Sequence, residues 1–281
     1  MLTCDFEMSF TDLMLHRSSL FFSREELDKI MNTTVAIAGL GGVGAITAEL
    51  LARWGIKKFR LLDKDKYEPT NLNRQLFATS KTLGQYKVDV AAKRIKEINP
   101  YTKIEMAIKD RISNENSHEF LKGADILIQT TDSPSSLLFY KIAQRYKVPV
   151  VNGYTTITGG YVSVYDYRFS KCYSFLERIK NYLKWRSMKK ITKMTLKELD
   201  ELDRKWGHKT SASINFVTNA VGCLIVAEAI KLLSGRGEVV KYPYQIEFDL
   251  FSIKLKKKKM YSPFDLSNYK KLVTIFLKNN K

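Results

Sequence analysis

Short apolar runs alternate with amphipathic stretches along the first half of the chain. The apolar, β-branched run at 35–39 predicts a buried strand, and residues 43–54, closed by Gly55, predict the helix that follows. The same alternation predicts strands over 58–63, 103–108, 125–130 and 148–152, and helices over 87–98, 115–121 and 134–146. Strands that alternate with crossover helices form parallel sheets. The predicted fold class is therefore α/β, with a Rossmann-like, doubly wound, mainly parallel sheet.

From residue 160 onward the pattern changes. Residues 160–167 alternate between two sets of side chains, which predicts a strand at an antiparallel edge. Residues 214–233 repeat apolar side chains every three or four positions, which predicts a helix packed on the sheet. A further strand is predicted over 244–255, so antiparallel strands extend the sheet toward the C-terminus. Cys223 falls within the apolar helix and is predicted to be a small buried residue.

Residues 170–209 carry twelve Lys/Arg against five Asp/Glu, with aromatic side chains interleaved. Thr195 and Glu198 have the spacing of a capping box, which predicts the start of a helix. Two interpretations stay open: a surface that binds an acidic peptide or an RNA backbone, or a helical lid with solvated lysines. The predicted divisions are an N-terminal helical segment (1–34), a nucleotide-binding part (35–168), a basic aromatic crossover loop (169–210) and a C-terminal part of the same domain (211–281).

Composition narrows the class of protein. A chain of 281 residues with 44% hydrophobic content can bury a large core. No apolar run approaches the ~18–20 residues that span a bilayer, no secretory signal is evident, and three cysteines make no disulfide framework. We therefore expect a cytoplasmic protein without a membrane segment. The net charge of +18, with nine lysines in 254–281, suits RNA or an acidic partner, or reflects a lysine-biased proteome.

Residues 39–44 read GLGGVG, between the first predicted strand and its helix. The loop supplies four glycines: Gly39, Gly41, Gly42 and Gly44. Such glycines let the backbone approach phosphates, whose charge the helix N-terminus then meets. Asp63 ends the next strand, 24 residues after Gly39, where a carboxylate accepts hydrogen bonds from ribose hydroxyls. Asp65 follows in the same LLDKD segment, and these features alone fit either ATP or NAD.

The segment TNLNRQ (70–75) favours ATP. A leaving pyrophosphate carries several negative charges, for which Arg74 offers a planar fork of donors. Asn71 and Asn73 add amide donors, and Lys87 adds a point charge.

A carboxylate for magnesium is predicted at Asp132, which precedes Ser133 and follows the strand predicted over 125–130. At the C-terminal end of a parallel strand a carboxylate can hold magnesium over a triphosphate. Taken alone, Asp132 could equally begin a turn or cap a helix.

Together these motifs resemble the ThiF/MoeB/HesA family, the adenylating enzymes related to ubiquitin-activating enzyme. The resemblance covers about residues 17–233, and its landmarks are GLGGVG (39–44), LLDKD (61–65), TNLNRQ (70–75), GQYKV (84–88), INP (98–100), TTDS (130–133), PVVNGY (149–154) and AEAIKLLSG (227–235). It implies that a substrate carboxylate attacks the α-phosphate of ATP, which gives an acyl-adenylate and pyrophosphate.

The resemblance also implies roles for individual residues. Its implied nucleotide-binding set is Gly39, Gly41, Gly42, Gly44, Asp63, Asp65, Asn71, Asn73, Arg74, Lys87, Asp132 and Ser133. Arg74, Lys87 and Asp132 are the implied catalytic residues, with Asp132 linked to magnesium. The family uses an N-terminal arginine in the partner subunit's site, and Arg17 is the best match. A homodimer with ATP and magnesium is therefore expected.

Two departures from the family pattern bear on the chemistry. Many members bind zinc through two Cys-x-x-Cys pairs, but here the corresponding segments read CYSF from Cys172 and YSPF over 261–264. Tetrahedral zinc needs four ligands, so no zinc is expected. Where relatives hold a nucleophilic cysteine, residues 209–214 read KTSASI. We therefore expect the chemistry to stop at the acyl-adenylate or to use a nucleophile elsewhere.

Several functions stay open. The favoured function is adenylation of the C-terminal carboxylate of a peptide or a ubiquitin-like or sulfur-carrier protein, and the turn at 152–154 is most similar to the microcin C type of enzyme. The second is a tRNA-modifying enzyme resembling the threonylcarbamoyl-adenosine dehydratase, for which the basic surface would bind RNA. The third is a binding module without turnover, which an intact Arg74, Lys87 and Asp132 argue against. A Rossmann NAD enzyme is the alternative for the fold.

Overall fold

The computed structural model describes residues 9–131, 137–169, 194–195, 197–198, 201 and 212–260. Its strands are β1 (Thr34–Ala38), β2 (Lys58–Leu62), β3 (Lys103–Ile108), β4 (Ile126–Gln129), β5 (Val150–Thr155), β6 (Gly159–Tyr165), β7 (Tyr244–Asp249) and β8 (Lys254–Lys259). The helices with assigned bounds are α1 (Phe10–Met14), α2 (Arg24–Met31), α3 (Gly42–Arg53), α4 (Lys87–Ile98), α5 (Asn114–Leu121), α6 (Leu137–Tyr146) and α7 (Asn215–Ser234).

All eight strands form one sheet, in the order β3-β2-β1-β4-β5-β6-β7-β8. The first five strands of this order pair in parallel, and the last three add antiparallel pairs. The predicted Rossmann-like, mainly parallel sheet with antiparallel strands toward the C-terminus is confirmed. Strand order reverses direction at β1, which is where ligands bind in open α/β sheets.

Two hydrophobic layers cover the sheet, because successive side chains of a strand point to opposite faces. Val35 and Ile37 of β1 join a core with α3, α4 and α7, whereas Ala36 and Ala38 join a second core with α5 and α6. The sheet is thus wound with helices on both faces, as the alternating pattern predicted.

Helix α7 is the most apolar element. Of the helices that the structure describes, it is the one that is long and apolar enough to cross a membrane by length and composition, so the expectation that no run approaches that length was wrong. More than half of it is buried, and it packs on α3, β5 and β6. Burial of α7 between α3 and the sheet also explains its apolar composition. Cys223 of α7 is exposed, so its predicted burial was also wrong.

The strand predicted over 244–255 is instead a hairpin of β7 and β8, paired from Tyr244 with Lys259 to Asp249 with Lys254. The Asp249 carboxylate accepts hydrogen bonds from the backbone N–H groups of Phe251 (3.0 Å) and Ser252 (2.8 Å). A side chain that bonds its own backbone in this way stabilises a turn. The lysines at 256–259, which follow the predicted strand in the sequence, therefore lie in the edge strand β8.

Lysines of β8 are partly neutralised within the sheet. Lys256 and Lys258 pair with Glu247 of β7, and Lys257 pairs with Glu238. Lysines on an edge strand also discourage pairing with other chains. Their proposed binding to RNA stays a prediction.

Candidate nucleotide-binding site

A cavity of about 320 Å³ opens at the carboxyl ends of the central parallel strands. Its wall includes the ends of β2 and β5 and segments that follow β1, β2, β3 and β4 in the chain. The lining residues are Gly39, Gly41, Gly42, Val43, Leu62, Asp63, Lys64, Asp65, Arg74, Gln75, Lys87, Asp110, Arg111, Ile112, Thr130, Thr131, Phe139, Gly153, Tyr154, Thr155, Ser213 and Thr218. The cavity lies at the position where doubly wound folds bind nucleotides.

The glycine loop forms one wall of this cavity. Gly39 has a φ of +88°, and a Cβ there would lie 2.9 Å from the carbonyl carbon of Thr130. A Cβ on Gly44 would overlap the carbonyl oxygen of Gly39, so α3 can begin directly against the loop only with glycine at that position. Gly44 is buried beneath the loop and is not among the lining residues. The first turn of α3 therefore lies beside the cavity, where its free N–H groups favour an anion.

Asp63 is buried at the end of β2 and joins two loops. Its Oδ2 accepts a hydrogen bond from the backbone N–H of Leu40 (2.6 Å), and its Oδ1 accepts one from that of Asp65 (2.9 Å). Burial raises the pKa of the Asp63 carboxyl, while the charge of Lys87 acts in the opposite direction. Each carboxylate oxygen can still accept a further bond, as a ribose hydroxyl requires.

Lys87 lies inside the cavity wall rather than on the solvated surface. It is the first residue of α4, and its side chain is only 7% exposed. Its Nζ is 3.2 Å from Oδ2 of Asp65, whose side chain is 53% exposed. A buried ammonium needs a charged partner, and Asp65 supplies it. Lys87 is thus held at the cavity by a carboxylate that solvent can still reach.

Arg74 lines the cavity, and two hydrogen bonds within its own segment orient it. Its Nη1 donates to the carbonyl oxygen of Thr70 (2.8 Å) and to Oδ1 of Asn73 (3.0 Å). Asn71 is buried, and its Oδ1 accepts from the backbone N–H of Glu68 (3.1 Å), which caps a short turn. Neither Asn71 nor Asn73 lines the cavity, so their contacts with ribose and phosphates stay predictions.

Arg17 lies apart from this set. It is exposed at the start of the turn Ser18–Leu20 and does not line the cavity of its own chain. Asp132 and Ser133 lie outside the described residues, although Thr131 before them lines the cavity. No cluster of three or more His, Cys, Asp or Glu side chains suited to a metal occurs among the described residues. Cys172 and residues 261–264 lie outside them, so the absence of zinc stays a prediction.

Several lining residues were not predicted as site residues, among them Asp110, Arg111, Ile112 and Gln75. Asp110, Arg111 and Ile112 follow β3 after one residue, at the same edge of the sheet as Asp63. Their position after a predicted strand could have identified them from the sequence as candidate site residues. Gln75 follows Arg74 and is buried, and its Oε1 has no hydrogen-bond partner among the described residues. A buried polar atom without a partner is a place where a ligand or water can bind.

The crossover loop is described only at a few positions. Thr195 accepts a hydrogen bond at Oγ1 from the backbone N–H of Glu198 (3.3 Å), and the Glu198 carboxylate accepts from the backbone N–H of Thr195 (2.7 Å). The predicted capping box is confirmed. Trp185, Trp206 and most of 170–209 lie outside the described residues.

A glycine loop, a buried strand-end carboxylate, an arginine and a buried lysine around one cavity are the arrangement that the motifs predicted. The sequence profile of the ThiF family matches residues 15–267. This chain belongs to the ThiF family. The match covers the whole sheet and the segments that carry Arg74 and Lys87, so the resemblance stated from the motifs is confirmed.

Individual members of the family are similar over shorter stretches. A tRNA threonylcarbamoyladenosine dehydratase of Bacillus subtilis is 41% identical over 133 residues, which are 46% of this chain and 50% of that protein. The adenylyltransferase and sulfurtransferase UBA4 of Meyerozyma guilliermondii is 31% identical over 146 residues, or 52% of this chain and 34% of that protein. The chain thus spans half the length, or less, of these two relatives.

A solved structure of the same fold is that of E. coli MccB with AMPCPP and MccA. The two structures superpose with a TM-score of 0.66 at 24% sequence identity, over 85% of this chain and 67% of MccB. At this identity the likeness shows the shared fold.

Proposed function

We propose that this ThiF-family chain is an ATP-dependent adenylyltransferase that activates a carboxylate. The observation that carries the proposal is the single cavity into which Gly41, Asp63, Arg74 and Lys87 all open. Ribose hydroxyls suit the spare acceptor capacity of Asp63, and phosphates suit the first turn of α3 and the two cations. When bound, magnesium would neutralise phosphate charge, and Asp132 is the residue proposed to hold it.

The reaction needs little covalent work from the protein. A carboxylate oxygen of the substrate forms a bond to the α-phosphorus of ATP, and the bond from that phosphorus to the bridging oxygen breaks. Acyl-adenylate and pyrophosphate are the products. Arg74 and Lys87 stabilise the charge that develops on the leaving pyrophosphate, so catalysis consists mainly of positioning and electrostatic stabilisation.

The carboxylate that we favour is the C-terminus of a peptide or of a ubiquitin-like or sulfur-carrier protein. The second candidate is a carboxylate on tRNA, which the 41% identity to the Bacillus subtilis dehydratase supports. Exchange of labelled pyrophosphate into ATP distinguishes the two. Exchange that depends on a panel of peptides with free C-termini supports the first, and exchange that depends on bulk tRNA supports the second. A cytoplasmic location belongs to the same proposal.

Nucleotide preference is the first test. We expect calorimetry to show ATP with magnesium binding in the micromolar-to-millimolar range and NAD not binding, because Arg74 and Lys87 meet their charge complement only in a triphosphate. AMP is the control ligand for ATP, because it keeps the base, the ribose and one phosphate. Tight binding of NAD without binding of ATP would contradict the proposal.

Assembly as a two-fold homodimer is proposed from the N-terminal segment. Exposed apolar side chains surround Arg17 in the sequence: Leu13, Leu20 and Phe21 are 61%, 76% and 64% exposed. Apolar side chains grouped on a surface mark interaction sites. We propose that this surface contacts a second copy and that Arg17 acts in the partner's cavity, because it does not line its own.

A mixing experiment tests whether Arg17 acts in trans. Arg17→Ala and Asp132→Ala subunits should each be inactive as homodimers, and their heterodimer should recover about one working site of two. Pyrophosphate exchange by tagged, purified heterodimers measures the recovery. Arg24→Ala, in an exposed arginine that pairs with Asp12 and Asp28, is the control and should remain active alone. No recovery in verified heterodimers would exclude action in trans.

A further inference from the structure

Gln129 is a fully buried amide at the C-terminal end of β4, beside the cavity but not lining it. Its Nε2 donates two hydrogen bonds to Thr131, one to the carbonyl oxygen (3.0 Å) and one to the hydroxyl (2.8 Å). Thr131 lines the cavity. One buried side chain therefore sets both the backbone and the side chain of a residue in the cavity wall.

The orientation of this amide follows from its neighbours. A carbonyl oxygen can only accept, so the group that faces the carbonyl of Thr131 must be the amide nitrogen. The amide oxygen faces the other way, toward the hydroxyls of Tyr140 from α6 and Tyr154 from β5, each at 3.4 Å. These contacts are longer than ordinary O–H···O bonds. The short hydrogen bonds from Nε2 to Thr131 are therefore stronger than the contacts of the amide oxygen with the two tyrosine hydroxyls.

The same strand end also contacts the glycine loop. Thr130 donates from Oγ1 to the carbonyl oxygens of Ala38 (3.1 Å) and Gly39 (2.9 Å). Thr130 is thereby fixed against the loop, while Gln129 fixes Thr131 from the opposite side of the chain. Residues 129–131 join the glycine loop to Tyr154, which lines the cavity on β5.

We infer that Gln129 is a positioning residue for the nucleotide, acting through Thr131. This inference rests on the proposed function, since it assumes that ATP with magnesium binds in the cavity. An apolar side chain of the same length would fill the space but leave both oxygens of Thr131 without their donor. A carboxylate would place a negative charge against those oxygens. Thr131 would then turn away from its place in the wall, and the nucleotide would bind less tightly.

The test compares Gln129→Met and Gln129→Glu with the wild type, by calorimetric titration with ATP and magnesium at pH 6 and pH 8. We expect Gln129→Met to bind about tenfold more weakly at both pH values, as for the loss of one or two buried hydrogen bonds. Burial and the facing carbonyl both raise the pKa of a carboxyl at this position, whereas the hydroxyls of Tyr140 and Tyr154 act in the opposite direction. Gln129→Glu should therefore bind ATP more weakly at pH 8 than at pH 6, because the lower pH favours the protonated carboxyl, which can donate to Thr131.

Affinities are expressed relative to the wild type at each pH, which cancels the titration of ATP itself. Gln144→Glu, at an exposed glutamine of α6, is the matched control and should change neither ratio. Thermal unfolding of each variant at both pH values separates loss of fold from loss of binding. If the wild type binds ATP and both Gln129 variants bind equally well, the inference fails and the proposed function stands. If the wild type does not bind ATP, both fail.

Discussion

Lys87→Ala is expected to slow pyrophosphate exchange by about 10²–10³-fold, or ~3–4 kcal/mol of transition-state stabilisation, as for other single preorganised donors. Lys87 has a 7% exposed side chain at the start of α4, and its ion-pair partner within the described residues is Asp65. A lysine already desolvated in this way interacts strongly with a phosphate, because little water screens its charge. Exchange assays with a carboxylate substrate of the wild type measure the effect.

Two variants control this prediction. Lys96→Ala removes an exposed lysine from the last turn of the same helix and should leave the exchange rate unchanged. Asp65→Asn removes the charged partner but keeps Lys87, so it measures how much of the effect comes from loss of the ion pair rather than of the ammonium. The affinity for AMP should change less than the affinity for ATP in Lys87→Ala. An exchange rate within twofold of the wild type would show that Lys87 has a structural role only.

The parallel half of the fold could be predicted closely from the sequence. Helix α4 has the bounds that were predicted, 87–98, and β3 has its predicted bounds, 103–108. Helix α4 carries a local signal, since its apolar side chains recur at helical spacing and Asn99-Pro100 ends it. Alternation of such elements leaves few topologies besides a parallel sheet with crossover helices.

The antiparallel half was harder to predict for a physical reason. The turn between β7 and β8 holds neither glycine nor proline. The carboxylate of Asp249 stabilises its backbone, in which Ile253 adopts a φ of +50°. An isoleucine is a rare choice for a positive φ, so alternation continued across the turn and predicted one strand over 244–255. Exposure of Cys223 was missed because α7 is apolar on almost all sides, which hides the face that solvent reaches.

The candidate site likewise contains residues that the sequence predicted and residues that it did not. Motif residues with charge or special backbone geometry, such as Gly39, Asp63 and Lys87, were predicted and line one cavity. Gln129 was missed because it ends an apolar strand, and the sequence does not show that its side chain turns back to Thr131. Asn71 was predicted as a ligand residue, which stays a prediction, and its Oδ1 caps a turn, a role that the sequence did not indicate.

The largest effect is expected at Asp132. Asp132→Ala should abolish acyl-adenylate formation while the protein stays folded, because a carboxylate proposed to hold magnesium has no substitute in an alanine methyl group. Pyrophosphate exchange measures activity, and thermal unfolding measures the fold. Asp132 is expected beside the cavity because Thr131, the residue before it, lines the cavity. Asp132 is also the first carboxylate in the chain after β4.

Strand β4 offers a matched control at its other end. Asp125 precedes the strand, and its Oδ2 accepts a hydrogen bond from the backbone N–H of Thr34 (2.7 Å). Asparagine keeps an oxygen that can accept this bond, so Asp125→Asn should preserve both fold and exchange. Asp132→Asn should lose exchange nearly as completely as Asp132→Ala, because a neutral amide binds magnesium far more weakly than a carboxylate does. Near-wild-type exchange in either Asp132 variant would reject the magnesium role and leave Arg74 and Lys87 as the only charged groups proposed to act on the phosphates.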